Sequence, residues 1–244
     1  MEEKKWQGYA RTLKDLFALE THPVAVRRTK EKNLTKDEKR VRICRAILDA
    51  AAGQSLKVCK ENNACFGAGW HLGFIEMKNP EVSKMVRKFV VEGEKLFSSY
   101  EALENLIAEM EPVPDNKDVC FTLVPMEQEQ QKPEVVVFVC NPEQACRLLT
   151  LATFLDGRMP KIKIGGPTCR LSIMYPLLTE EVNLSFYDYT ARKMCNVEKD
   201  KLLVSIPYSK LPSMVESIDT CSGGTAKIEF PPEFRAFLQK RMTR

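Results

Sequence analysis

Long apolar runs are missing from this chain. The longest, Val135–Cys140 (VVVFVC), falls far short of the ~20 residues that a membrane-spanning helix requires. The opening residues, MEEKKWQGYA, hold none of the apolar core of a signal peptide. Histidine is confined to His22 and His71, so a Cys-His nucleophilic pair would have to use one of these two, and nothing else in the sequence supports one. No CxxC pair occurs, which argues against a zinc ribbon or a thioredoxin-type centre. GxSxG, HExxH, a Walker loop and GxGxxG are also absent, and no motif names a reaction. These absences predict a cytoplasmic, soluble protein with no membrane association.

What is present fits an ordinary globular chain. Its 244 residues are 44% hydrophobic and 29% charged, enough for one large domain or two small ones. The net charge of +4 is unevenly placed: residues 27–45 carry +6 and the remainder −2. Such a segment can attract nucleic acid or an acidic partner. It lacks aromatic residues for base stacking and mixes both signs, so a solvated connector is the simpler reading and nucleic acid is not the expected partner.

Apolar periodicity and breakers give an alternation of helices and strands. Helices are predicted over Trp6–Leu19, Val41–Ala52, Glu81–Met110 with an interruption at Gly93, Pro142–Leu155, Cys169–Leu178, Ser209–Asp219 and Pro231–Arg241. Strands are predicted at Pro23–Arg28, Leu56–Lys60, Val119–Pro125, Val135–Cys140, Lys161–Ile164, Val182–Tyr187 and Lys201–Ile206. Pro112 and Pro114 suggest a boundary between residues 1–112 and 113–244, as two α/β halves or one integrated domain. Both halves contain a Cys-Arg pair on a helix, then glycine, a short strand and a second cysteine. Cys44 to Cys65 spans 21 residues and Cys146 to Cys169 spans 23. The expected fold is α/β, with mixed α+β as the variant, built from two diverged β-α-β-α halves in one pseudo-twofold globule.

Nine cysteines are the most informative feature. Without an export signal, persistent disulfides are not expected, and the thiols serve packing or metal and redox chemistry. Cys65 and Cys169 each sit between a predicted strand and a predicted helix, where ligands gather and a helix N-terminus favours thiolate. Gly67, Gly69, Gly165 and Gly166 flank them and allow close backbone approach to an anion or cluster. Cys195, in a polar segment, is the third candidate ligand, while Cys59 and Cys221 are weaker fourth candidates. Cys44, Cys120, Cys140 and Cys146 lie in apolar elements and read as packing residues. Thiolates from distant segments suit an iron–sulfur cluster or zinc, and sulfur excludes magnesium and calcium. His71 is either a mixed zinc ligand or a helix histidine satisfied by packing.

Cys65-Phe-Gly-Ala-Gly-Trp-His-Leu-Gly73, Gly165-Gly-Pro-Thr-Cys169 and Leu203-Val-Ser-Ile-Pro207 together resemble domain-of-unknown-function family 169 of archaea and anaerobic bacteria. The resemblance implies a cytoplasmic α/β protein with cysteines at two signature turns, and it carries no assigned activity. Three functions remain open. The first is a cysteine-ligated metal or iron–sulfur protein, redox or metal-handling, with a redox partner. The second is a metal-free enzyme or sensor for a small anionic ligand, with Cys169 as reactive thiol and Arg192 or Arg170 on the anion. The third is a basic module acting through residues 27–45.

Overall fold

The six residues of VVVFVC form one strand, β4 (Val135–Cys140), buried along its whole length. In a computed structural model, which describes residues 4–32, 39–75 and 79–242, this strand lies at the middle of a six-stranded sheet. Successive side chains of a strand point to opposite faces. Val135, Val137 and Val139 therefore enter one apolar layer, and Val136, Phe138 and Cys140 the other. The remaining strands are β1 (Val24–Thr29), β2 (Leu56–Val58), β3 (Cys120–Pro125), β5 (Asn183–Ser185) and β6 (Leu202–Pro207). Their order is β2-β3-β1-β4-β6-β5, with every neighbouring pair antiparallel. A strand apolar on both faces is more usual in parallel sheets; here helices cover both sides of an antiparallel one.

The strand order reads the same when β1, β2 and β3 are exchanged for β4, β5 and β6. β3 follows the Pro112/Pro114 break yet pairs between β1 and β2, so one sheet runs through both expected halves. On one face pack α1 (Lys5–Leu16), α6 (Pro142–Thr153) and α9 (Leu211–Glu216). On the other pack α2 (Ile43–Ala51), α3 (Phe66–His71), α8 (Tyr189–Cys195) and a helix entered at Thr168. That last helix is π-wound over Arg170–Met174 and closes as α7 (Tyr175–Thr179). α4 (Pro80–Lys88) continues through a π turn to Gly93, where the pattern breaks before α5 (Tyr100–Ala108). Val86, Val90 and Leu103 from this pair form a small apolar cluster with Trp70. α10 (Ser222–Thr225) packs on α6, and α11 (Pro232–Met242) ends the described chain. No helix among the described residues is long and apolar enough to cross a membrane.

Local signals explain the well-placed elements. α6 starts at a capping box, in which Asn141 Oδ1 accepts from the Gln144 amide and Gln144 Oε1 accepts from the Asn141 amide. Lys161–Ile164, by contrast, is not a strand. The Asn183 side chain takes the place of a neighbouring strand there, accepting from Lys163 N–H at 2.8 Å and donating to Lys163 C=O at 3.0 Å. Cys169 therefore does not follow a strand, and the next strand after α6 is β5. Ser209 caps no helix: its hydroxyl bonds Glu180, and a 3-10 turn over Tyr208–Lys210 leads into α9.

One expectation about cysteine is overturned. The pairing of Leu56 with Leu123, Lys57 with Thr122 and Val58 with Phe121 carries Cys59 opposite Cys120. The two are joined in a disulfide with Cα atoms 4.2 Å apart, and both are fully buried. Cys59 is thus no ligand candidate and Cys120 no free packing thiol. Strand register, which spacing along the chain does not reveal, brings them together.

Candidate functional site

The helical face built from α2, α3, α8 and the Thr168 helix, with residues of the α4–α5 region, borders a partly open cavity of about 340 Å³. Four thiols line it: Cys44 from the first turn of α2, Cys65 at the N-cap of α3, Cys169 from the Thr168 helix, and Cys195 at the end of α8. Each is held by local bonding. The Cys65 amide donates to Asn63 Oδ1, Asn63 Nδ2 donates to Cys65 C=O, and Cys65 Sγ accepts from the Ala68 amide. Asp188 ties two elements together: Oδ1 accepts from Ala191 N–H to cap α8, and Oδ2 accepts from the Thr168 amide and hydroxyl. Gly165, at φ +84°, makes the turn that brings the Thr168 helix back over the cavity.

Burial dominates the electrostatics. It pushes the Cys169 thiol well above the ordinary thiol range, with the charges of Cys65 and Asp188 adding to it. The amides of Arg170 and Cys169 oppose this, so the helix start does favour thiolate, but desolvation outweighs it. Cys44 is raised by burial and then by Cys169. Cys195 is raised by burial against the pull of Arg42 and Arg45. At neutral pH these three are protonated thiols. His71 also lines the cavity, and burial, then the charge of Arg170, lowers its pKa to about 3. Its Nδ1 and the hydroxyl of Tyr187, another lining residue, are buried without a hydrogen-bond partner.

Of the residues singled out from sequence, Cys65, Cys169, Cys195, Gly67, Gly165 and Gly166 share this cavity. Gly69 and Arg192 do not. A Cβ on Gly69 would lie 2.4 Å from Ile75 Cδ1, so this glycine is small to admit Ile75. Gly69→Ala is expected to cost about 1–3 kcal/mol, measured by urea unfolding, and to leave any chemistry of the thiols in place. Arg192 donates to the carbonyls of Glu198, Lys199 and Lys201, stapling the loop after α8 instead of facing a ligand. Cys221 and Cys140 are buried in the layer on the opposite face, and Cys146 is exposed.

Cys44 is the site residue that sequence reasoning missed. The buried residues of α2 are Ile43, Ala46, Ile47, Ala50 and Ala51. Cys44 stands three and seven positions before Ile47 and Ala51 and packs against the same apolar layer while lining the cavity, so its spacing does not set it apart from the packing residues. Within the basic segment, Arg28 pairs with Glu134, Lys32 with Glu61 and Asp118, and Arg45 with Asp49, while Arg42 lines the cavity. Residues 33–38 of that segment lie outside the described residues. Among the described residues, no group of three or more His, Cys, Asp or Glu side chains is arranged to hold a metal ion.

Fold and site together define a mixed α/β protein whose antiparallel sheet carries, on one face, a cavity to which four cysteines contribute. The chain belongs to the DUF169 family, described as "Uncharacterised ArCR, COG2043", whose model matches residues 12–217. No curated protein and no solved structure matches the chain.

Proposed function

We propose that the cavity binds an iron–sulfur cluster, with Cys44, Cys65, Cys169 and Cys195 as its thiolate ligands. One observation carries this reading: four separate segments each deliver one free cysteine to the same cavity. Zinc fits less well. A single ion needs its donors in a close tetrahedron with Zn–S bonds of about 2.3 Å, and the described side chains form no such group. A cluster fills the space between its ligands with its own iron and sulfide and spreads the cysteines further apart. The largely apolar surroundings suit a centre whose potential is set by burial and by hydrogen bonds to sulfur.

The raised thiols add a chemical condition. Cluster loading must release protons from Cys44, Cys169 and Cys195, so it strengthens as pH rises. The same raised thiols speak against Cys169 as a reactive nucleophile, since the thiolate is the attacking species and Cys169 is only 4% exposed. The test is anaerobic reconstitution, with iron and acid-labile sulfide measured alongside the visible absorption spectrum. Stoichiometric iron and sulfide are expected. Serine at Cys44, Cys65, Cys169 or Cys195 should each reduce loading severalfold, while Cys146→Ser, on the other face, leaves it intact. Failure to take up iron and sulfide, or full loading in all four variants, overturns the reading.

A further inference from the structure

A second, wider cavity of about 690 Å³ opens beside the first, and Trp70 and Met110 line both. Its walls are mostly apolar, from Ile75, Ile107 and Val113, with Glu111 and Asp115 among the polar residues. Among the described residues one cation lines it: Arg170, next in sequence to Cys169 but facing this other cavity. Arg170 is 3% exposed, and its Nε has no hydrogen-bond partner. No carboxylate of the described residues makes an ion pair with it, although Glu111 acts on it electrostatically.

A buried guanidinium nitrogen without a hydrogen-bond partner is costly, and Glu111 acts on this group without forming an ion pair that completes it. Such a group persists where a ligand completes it. We propose that this cavity is a binding site for a monocarboxylate with an apolar or aromatic body, its carboxylate received by Arg170. The guanidinium fork matches a carboxylate in two-point geometry, and the apolar walls take the rest of the molecule. Charge favours a monoanion. One guanidinium neutralises one negative charge, and Glu111 and Asp115 on the same walls oppose a second, which disfavours a phosphate dianion. None of the four cysteines lines this second cavity, so the site is expected to bind with or without iron in the protein.

The chain supplies its own reporter. Trp6 and Trp70 are its two tryptophans, and the Trp6 indole is tied to the Glu129 carbonyl, remote from this cavity. In a Trp6→Phe background, Trp70 alone reports. Titration with 3-phenylpropionate should change Trp70 fluorescence saturably, and 3-phenylpropionamide should bind about tenfold more weakly or worse. Arg170→Met should abolish the response, and Arg170→Lys should weaken it. Because Arg170→Met replaces a buried cation whose Nε lacks a hydrogen-bond partner with an apolar chain, its melting temperature should be equal to or above that of the parent. The proposal fails if 3-phenylpropionate, 4-methylpentanoate and benzoate all give no saturable signal. It fails equally if inorganic phosphate binds with the same dependence on Arg170, or if Arg170→Met melts well below the parent.

Discussion

Replacing Cys59 and Cys120 together by alanine is expected to lower the unfolding free energy by about 4 kcal/mol, from the chain entropy of a closed loop of this length. The bond links residues 61 apart in sequence, across the outer pair of strands β2 and β3. Without it the unfolded chain regains the freedom that this loop closure removes. β2 has three residues and pairs with β3 alone, so it has few other bonds holding it to the sheet. The loss should appear in urea unfolding and should vanish when parent and variant are compared under a strong reductant in the unfolding range. A thiol titration in denaturant checks the premise directly. Seven reactive thiols are expected before reduction and nine after it. Nine before reduction would remove the basis of the prediction.

This disulfide also marks where sequence stops being legible. Strands and helices with strong local signals stand where the residues put them: VVVFVC is β4 to the residue, and Asn141-Pro142 opens α6. Both depend on neighbours a few positions away. Cys59 and Cys120 meet because of register between strands separated by a long connection, which no local pattern encodes. Lys161–Ile164 has the composition of a strand but forms no backbone ladder with β5 beside it, because the Asn183 side-chain amide takes the Lys163 backbone bonds instead. Three of the four cavity thiols were legible, because small residues and polar surroundings set Cys65, Cys169 and Cys195 apart. Cys44 is hidden by its apolar helix, where its spacing matches that of the packing residues Ile47 and Ala51. Gly69 and Arg192 show the reverse error, since their chemistry suits a ligand but Ile75 and the loop after α8 use them. Residue type names what a side chain can do, and topology decides which partner it meets.

Acid should destabilise the protein through His71, by about 3 kcal/mol at pH 4 relative to pH 7 from this residue alone. The imidazole, ordinarily near 6.5, is lowered to about 3 in the folded chain, first by burial and then by the charge of Arg170. Between those values the unfolded chain takes up a proton at His71 and the folded chain does not. Stability from this group is therefore complete above pH 6.5 and is lost progressively as pH falls toward 3. The unpartnered Nδ1 leaves no acceptor to hold a proton in the folded state, consistent with that direction. Unfolding free energies of the parent and of His71→Leu, taken at pH 7 and pH 4, isolate the contribution, because the carboxylates titrate alike in both. The parent should lose about 3 kcal/mol more than the variant between the two pH values. Equal losses in the two proteins would mean that His71 takes up its proton inside the fold. Arg170→Met should narrow the gap, since it removes the second cause while leaving burial in place.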